Sequence, residues 1–175
     1  GPASVFEPGA PRVDPKLFDA GVPVLGICYG FQAMAYALGA DVDKAALGEY
    51  GKTDTTIDKT DGLLAGSPAE QDTWMSHGVA VKTAPAGFEV LAHTEGAPVA
   101  AMQDESRKLY GVQWHPEFLG TRNSMNLLFE RFVDACQEES QHKKEKRANI
   151  AIDRIHTGFV WPQVSFIDRQ PKITN

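Results

Sequence analysis

The sequence predicts an α/β protein with an open, mostly parallel central sheet and helices on its faces. Two observations carry this prediction. A short apolar run, Val22–Ile27, is typical of a strand buried on both faces, and a helix-like segment, Phe31–Leu38, follows it. Short strand-like segments between Trp74 and Gln113 then recur about every ten residues, separated by glycine, proline or charged turns.

The segments around this framework follow in chain order. Residues 1–21 are rich in proline and glycine, which predicts irregular chain before the first strand. Gly39 marks the end of the helix Phe31–Leu38, because glycine commonly follows the last helical residue. The threonines and the isoleucine of Lys52–Asp58 favour a strand, and the segment DGLLAGSP, 61–68, favours a turn or a single helical turn.

A second helix is predicted over Asn123–Gln141. Its apolar residues fall at the spacing i, i+3, i+4, i+7 and i+8, which places them on one face of a helix. They are Met125, Leu128, Phe129, Phe132 and Val133. An apolar stripe of this kind is typical of a helix that packs against the rest of a domain.

The net charge changes sign near the end of this helix. From Glu138 onward there are seven Lys and Arg against five Asp and Glu, whereas residues 1–137 hold ten against eighteen. We therefore expect one acidic domain, residues 1–137, and a basic, irregular C-terminal tail of unknown role, residues 138–175. At 175 residues the chain has room for one ordinary domain.

The composition argues against several classes of protein. With 42% apolar and 23% charged residues, the chain is typical of a soluble globular protein. No apolar run approaches the roughly 18 residues of a membrane span, and no secretion signal is recognisable. The net charge of −6 argues against nucleic acid as a partner. Two cysteines are too few for a disulfide framework, so a cytoplasmic location with free thiols is expected.

One of the two cysteines, Cys28, lies between Gly26 and Gly30, directly after the apolar run. The pattern G-x-C-x-G is typical of a nucleophile elbow, a tight strand-to-helix turn that presents its central side chain. Flanking glycines would avoid a Cβ clash there, and the start of the helix would favour the thiolate. The backbone N–H of Tyr29 would point at an oxyanion beside Cys28. The pattern alone does not exclude that Cys28 is a buried structural residue, since cysteine is often simply buried.

A base for such a nucleophile is present in the segment GVQWHPEF. His115 and Glu117 stand two residues apart in extended chain, so Glu117 could orient the imidazole. The alternative is a strand-end histidine beside a solvent-exposed glutamate. Cysteine and histidine also bind zinc, but no C-x-x-C or H-E-x-x-H pair is present and no metal site is predicted. His77 and His93 are each interpreted as structural histidines of strands.

Several stretches together resemble the class I (triad-type) glutamine amidotransferases, and within them the glutaminase domain of the GMP synthase branch. They are GPASV, PVLGICYGFQAMAYALG, GEYGKT, WMSHG, PAGFEVLAHTEGAPVAAM and YGVQWHPE, in order from Gly1 to Glu117. GICYGFQ together with HPE is specific for the class, whereas WMSHG and EYG favour the GMP synthase branch. The resemblance implies a flavodoxin-like fold for residues 1–137.

The resemblance also implies roles for the matching residues. Cys28 would attack the side-chain amide of L-glutamine, His115 would carry the proton to the departing ammonia, and Glu117 would hold His115. The backbones of Tyr29 and Gly1 would form the oxyanion hole. The residues expected to bind glutamine are Gln32, Ser76, His77 and Gly78. Ammonia would pass to a synthetase domain or subunit that converts XMP to GMP in purine biosynthesis. ATP and Mg²⁺ are expected only on that partner, and no cofactor is expected on this chain.

Three features depart from the family's pattern. The strands that usually precede the glycine-proline turn are missing before Gly1, so the domain is expected to be N-terminally incomplete. Val79 stands where the family usually has an acid after SHG, and the tail does not resemble an ATP pyrophosphatase domain. Two alternatives stay open: a truncated or degenerate amidotransferase that acts only as a partner-binding module, and a triad hydrolase of other γ-glutamyl substrates.

Overall fold

The computed structural model describes residues 4–118 and 122–156, with side chains for 4–118 and 127–147. Two short 3-10 turns, Pro15–Asp19 and Gly62–Leu64, accompany the main elements. Those elements are β1 (Val24–Ile27), α1 (Tyr29–Ala37), β2 (Val42–Ile57), β3 (Glu70–Val81), β4 (Glu89–His93), β5 (Ala101–Asp104), β6 (Leu109–Val112) and α2 (Arg122–His156). The predicted first helix and the predicted β-rich segment are therefore confirmed.

The six strands form one sheet in the order β1-β6-β5-β4-β2-β3. β1 and β6 pair in parallel, up to Ile27 opposite Val112, and the other strand pairs in the described ranges are antiparallel. The α/β class is confirmed, but the parallel part is one pair rather than most of the sheet. The connections 94–100 and 105–108 are too short for the crossover that parallel neighbours need, so β4, β5 and β6 alternate in direction.

The two longest strands, β2 and β3, form an antiparallel ribbon that runs from Val42 opposite Val81 to Thr56 opposite Glu70. The sequence predicted only its second half, Lys52–Asp58. The first half consists mainly of alanine, glycine and charged residues, which have a weak preference for strands. Pairing with β3 makes this half extended, which a local pattern could not reveal.

The ribbon brings β3 back to the carboxyl ends of β1 and β6, although β3 lies at the opposite end of the strand order. The His115 backbone N–H donates to the Trp74 carbonyl oxygen over 2.9 Å. The Gln32 side chain donates to the Val79 carbonyl oxygen over 2.8 Å. The curled sheet thus surrounds the carboxyl end of its parallel pair, the edge at which α/β proteins usually bind ligands.

Two clusters of buried apolar side chains form the core. α1 contributes Phe31 and Met34 to one cluster, where Leu109 of β6 is also buried. The other cluster contains Tyr110 of β6 and Leu128 of α2. Since consecutive residues of a strand point to opposite faces, Leu109 and Tyr110 place the two clusters on opposite sides of the sheet. Burying one such side chain is worth about 2 kcal/mol, so both faces contribute to stability.

The predicted helix over Asn123–Gln141 is confirmed by α2, but its buried face is narrower than the predicted stripe. Leu128 is 2% exposed, whereas Phe129 and Val133 are 36% and 50% exposed. The side chain of Met125 lies outside the described residues. The residues that pack into the core are Leu128, Phe132 and Ala135. This narrow line shows that the helix contacts the sheet along one edge of its apolar stripe.

The tail predicted as irregular from residue 138 is instead helical as far as His156, because α2 continues through it. Glu, Gln, Lys and Arg dominate residues 138–147, and these side chains favour helix. Gln141 also donates to Glu145 over 3.2 Å, one turn further along the helix. The remainder of the predicted tail, residues 157–175, lies outside the described residues.

The chain divides into two compact units, residues 1–139 and residues 140–175. The six strands, α1 and the first part of α2 belong to the first unit. α2 is 35 residues long but strongly polar. Within the described ranges, no helix combines the length and the apolar character needed to cross a membrane.

Candidate active site

A sharp backbone turn separates β1 from α1, and Cys28 lies at its apex. The φ of 50° and ψ of −107° at Cys28 are rare for a residue other than glycine and cost of the order of 1–3 kcal/mol. The Cys28 N–H donates to the Val112 carbonyl over 2.9 Å, and the Gln32 N–H donates to the Cys28 carbonyl over 3.1 Å. The predicted elbow is therefore confirmed in its backbone geometry.

The two glycines beside Cys28 are present for different reasons. A Cβ at Gly26 would lie 2.9 Å from the Gly30 carbonyl oxygen and from the backbone of Phe31, because the start of α1 packs directly on β1. A Cβ at Gly30 would meet nothing within 4 Å. The expectation that both glycines avoid a clash is thus correct for Gly26 and wrong for Gly30.

We expect Gly26→Ala to lower the free energy of unfolding by about 1–3 kcal/mol, because the contacting atoms are backbone and cannot rotate away. Gly30→Ala is the matched control. It lies in the first turn of α1 with open space around it, so we expect no loss, or a gain of up to about 1 kcal/mol. Urea denaturation followed by circular dichroism measures both. Equal losses in the two variants would contradict this account of the elbow.

The sulfur of Cys28 is buried, with the residue only 4% exposed. The thiol donates to the Ser76 carbonyl oxygen over 3.7 Å, and Nε2 of Gln113 donates to Sγ over 3.8 Å. Burial raises the pKa of the Cys28 thiol, the Tyr29 backbone N–H partly offsets this, and the charge of Glu117 raises it further. The sequence predicts that the start of α1 favours the thiolate. In the free protein, burial has the larger effect and favours the protonated thiol.

His115 and Glu117 form a direct hydrogen bond. Nδ1 of His115 donates to Oε1 of Glu117 over 2.7 Å, because a carboxylate can only accept. With the proton on Nδ1, the Nε2 atom is free to act as a base. The ring planes of Trp74 and Phe118 stack beside this pair, with centroids 4.2 Å apart and an interplanar angle of 19°. This stack and the His115 N–H bond to Trp74 hold the segment against β3.

Cys28 and His115 follow neighbouring strands at one edge of the sheet. β1 ends at Ile27 and β6 ends opposite it at Val112, so both residues lie just beyond the carboxyl ends of the parallel pair. β3 closes a third side through the Ser76 carbonyl oxygen at the sulfur. Cys28 and the His115–Glu117 pair thus lie beyond the same sheet edge, and a thiol, an imidazole and a carboxylate are the groups that nucleophilic chemistry at a carbonyl carbon uses.

The residues expected to bind substrate are in different environments. Ser76 and Gly78 lie on the exposed side of β3, and Tyr50 Oη is 3.0 Å from where a Cβ of Gly78 would be. Gln32 is only 3% exposed and uses its amide nitrogen within the protein. Gly1, expected in the oxyanion hole, lies outside the described residues.

The ring of His77 belongs to a buried hydrogen-bond network. Nδ1 of His77 bonds the Val79 carbonyl oxygen over 3.0 Å, and Nε2 bonds Oε2 of Glu49 over 2.8 Å. Glu49 also accepts from the Thr94 hydroxyl at 2.8 Å and from the Gly96 N–H at 3.2 Å. Both ring nitrogens therefore have partners, and the His77 side chain is structural. Its expected contact with glutamine could come only from its backbone.

A family model described as "Glutamine amidotransferase class-I" matches residues 1–135, more than three-quarters of the chain. The chain belongs to the class I glutamine amidotransferases. The elbow cysteine and the histidine-glutamate pair of this amidotransferase domain thus lie within the matched region, and so do all the strands of its sheet.

Relatives point to one branch of the class. The amidotransferase domain is 74% identical over 136 residues to the "GMP synthase (glutamine-hydrolyzing)" of Bifidobacterium longum, covering 78% of this chain and 25% of that protein. The Nocardia farcinica protein of the same name is 55% identical over 156 residues, covering 89% and 29%. The chain therefore spans about a quarter of the length of these curated relatives.

A solved structure agrees in fold. A protein from Thermoplasma acidophilum, described as a candidate GMP synthase subunit, superposes with a TM-score of 0.69 at 30% identity. The match covers 73% of this chain and 64% of that one. A glutamine amidotransferase from Thermotoga maritima gives a TM-score of 0.55 at 25% identity, covering 74% and 53%.

Two buried polar residues near the site were not predicted from the sequence of the amidotransferase domain. Gln113 contacts the sulfur of Cys28, and Glu49 binds His77. Each lies in a stretch that carries the family resemblance, GVQWHPE for Gln113 and GEYGKT for Glu49, but nothing in the pattern alone distinguishes a buried glutamine or glutamate from an exposed one. Among the described residues, no group of three or more His, Cys, Asp or Glu is placed to hold a metal ion.

Proposed function

We propose that the chain is a glutaminase that hydrolyses L-glutamine through Cys28, His115 and Glu117. The observation that carries the proposal is Cys28 at the apex of a strained elbow, beyond the same sheet edge as the His115–Glu117 pair. Membership of the amidotransferase class supports the reaction type. The close similarity to proteins named as GMP synthases supports ammonia transfer to a synthetase domain or subunit that makes GMP.

The reaction proceeds in two steps. Nε2 of His115 takes the Cys28 thiol proton as Sγ attacks the glutamine carboxamide carbon, and the C–N bond breaks as the same proton passes to the departing nitrogen. Ammonia leaves and a γ-glutamyl thioester remains on Cys28. A water molecule then attacks the thioester, giving up a proton to His115, which returns it to the sulfur as glutamate leaves. The Tyr29 N–H would stabilise the oxyanion in both steps.

This chemistry requires no cofactor on the chain itself. ATP and Mg²⁺ would act only on the synthetase partner, where XMP is activated. Because burial raises the pKa of the Cys28 thiol, most Cys28 in the free protein is protonated at neutral pH, and transfer of that proton to His115 is part of the first step.

The proposal is tested by incubating the purified chain with L-glutamine, alone and with a GMP synthetase domain, and measuring glutamate and ammonia. Equal amounts of the two products are expected. γ-Glutamyl amides other than glutamine, assayed in parallel, separate a glutaminase from a broader γ-glutamyl hydrolase. No glutamate in either condition would overturn the proposal and favour a module that only binds a partner.

Glu117→Gln is expected to lower kcat by a factor of the order of 10², with little change in KM. The amide keeps the length of the side chain but removes the negative charge that stabilises the imidazolium. Because the Glu117 side chain is 56% exposed, we expect a loss of kcat at the low end of the range for a triad carboxylate. Steady-state glutamate release measures it, and a wild-type kcat would show that Glu117 does not assist His115.

A further inference from the structure

A buried carboxamide contacts the sulfur of Cys28. Gln113 follows β6 directly, is 0% exposed, and donates from Nε2 to Sγ over 3.8 Å. Its backbone N–H donates to the Ala100 carbonyl oxygen over 2.7 Å, which fixes the main chain beside the elbow. Gln113, which follows β6, therefore contacts the sulfur of Cys28, which follows β1.

A second glutamine fixes the orientation of this carboxamide. Nε2 of Gln32 donates to the Val79 carbonyl oxygen over 2.8 Å and to Oε1 of Gln113 over 3.0 Å. A carbonyl can only accept, so Gln32 must present its NH₂ group to this side. Gln113 in turn presents its oxygen to Gln32, which leaves its NH₂ group directed at Cys28.

The groups around the sulfur favour different protonation states. The Ser76 carbonyl oxygen accepts a hydrogen bond from the Cys28 thiol over 3.7 Å, and it cannot form one with the thiolate, which has no proton to donate. The Gln113 NH₂ group and the Tyr29 N–H both donate, and hydrogen bonds to a charged acceptor are stronger than those to a neutral one. We infer that Gln113 is a positioning residue that stabilises the thiolate of Cys28 and holds the sulfur in place once its proton has left.

The inference bears on the proposed function, but it can be tested without glutamine. In the 175-residue chain, the rate of Cys28 alkylation by iodoacetamide is followed from pH 6 to pH 11 by mass spectrometry of the Cys28 peptide. For Gln113→Met we expect about tenfold slower alkylation near pH 8, because one hydrogen bond to the thiolate is lost. At the highest pH the rates of the variant and the wild type should converge, since both thiols are then ionised.

A purely structural role for Gln113 predicts the opposite sign. Loosening the elbow would expose Cys28, relieve the burial that disfavours its thiolate, and accelerate alkylation. Gln103→Met is the matched control, because Gln103 is also buried, at 3% exposure, but its side chain contacts Leu63 and Glu89. This control should leave the Cys28 rate unchanged, and the Cys136 peptide serves as an internal standard.

A second variant keeps the test decisive if Gln113→Met does not fold. Gln32→Met leaves the Gln113 carboxamide in place but removes the donor that orients it, so a smaller slowing in the same direction is expected. Unchanged or faster alkylation in a folded variant of either residue would overturn the inference. Slower alkylation in a chain that releases no glutamate would support the inference while overturning only the proposed function.

Discussion

Glutamine hydrolysis is expected to fall at least about a thousandfold in Cys28→Ala, because the atom that forms the thioester is removed. The groups that contact the sulfur, the Gln113 carboxamide and the Ser76 carbonyl, are not nucleophiles that could replace it. Cys136→Ala is the matched control, since Cys136 lies on α2 and is expected to leave hydrolysis unchanged. Glutamate release under saturating glutamine measures both variants.

Two substitutions of Cys28 are expected to be equally inactive but to differ in stability. Cys28→Gly removes the sulfur as Cys28→Ala does, but glycine adopts a φ of 50° and ψ of −107° without a Cβ clash. Relief of about 1–3 kcal/mol of backbone strain exceeds the roughly 0.5–1 kcal/mol that glycine costs in chain entropy. We therefore expect Cys28→Gly to be more stable than Cys28→Ala by about 1 kcal/mol, measured by urea denaturation.

Two outcomes would contradict this account of Cys28. Residual hydrolysis in Cys28→Ala near the wild-type rate would show that another group attacks glutamine. An alanine variant as stable as the glycine variant would show that the elbow relaxes in solution. The two measurements are independent, because a protein can keep a strained turn without using it for catalysis.

Glu49→Ala is expected to lower the free energy of unfolding by about 3–5 kcal/mol, because it removes one partner of a buried hydrogen-bonded pair and leaves the other unsatisfied. Glu49 is 6% exposed and His77 is 4% exposed, and the pair is 2.8 Å long. The variant would also leave the Thr94 hydroxyl and the Gly96 N–H without their acceptor. Denaturant unfolding monitored by circular dichroism measures the loss.

The pair His93–Asp58 provides the matched control. Its distance, 2.7 Å, is nearly that of the buried pair, but its side chains are 47% and 39% exposed. Water solvates both partners when the pair is broken, so Asp58→Ala is expected to cost at most about 1 kcal/mol. If the two alanine variants lost similar amounts of stability, burial would not be what makes the Glu49–His77 pair important.

The elements with a strong local signal were predictable. Val22–Ile27 is apolar throughout, and its sharp end at Gly26-Ile27-Cys28 identified both the strand and the turn. Leu128 and Phe132 belong to the helical apolar period predicted over Asn123–Gln141, and both pack into the core. These features depend on neighbours in the chain, so the sequence contains what is needed to infer them.

Two of the features that were not predicted correctly depend on partners distant in sequence. The first half of β2 is extended because β3 pairs with it, and the antiparallel direction of β4 to β6 follows from short connections rather than from composition. The tail was predicted as irregular because it lacks an apolar period, yet its residues have a high helix propensity and continue α2 through residues 138–147.

The sequence by itself determined the chemical groups of this amidotransferase: a cysteine in a glycine-flanked turn, and a histidine and a glutamate two residues apart. Only the tertiary structure decided the state of the cysteine. Burial raises the pKa of the Cys28 thiol, and the carboxamide of Gln113 lies beside its sulfur, 85 residues further along the chain. Solvation and hydrogen-bond partners depend on which strands meet in space, because a curled sheet brings β1, β3 and β6 around one sulfur atom.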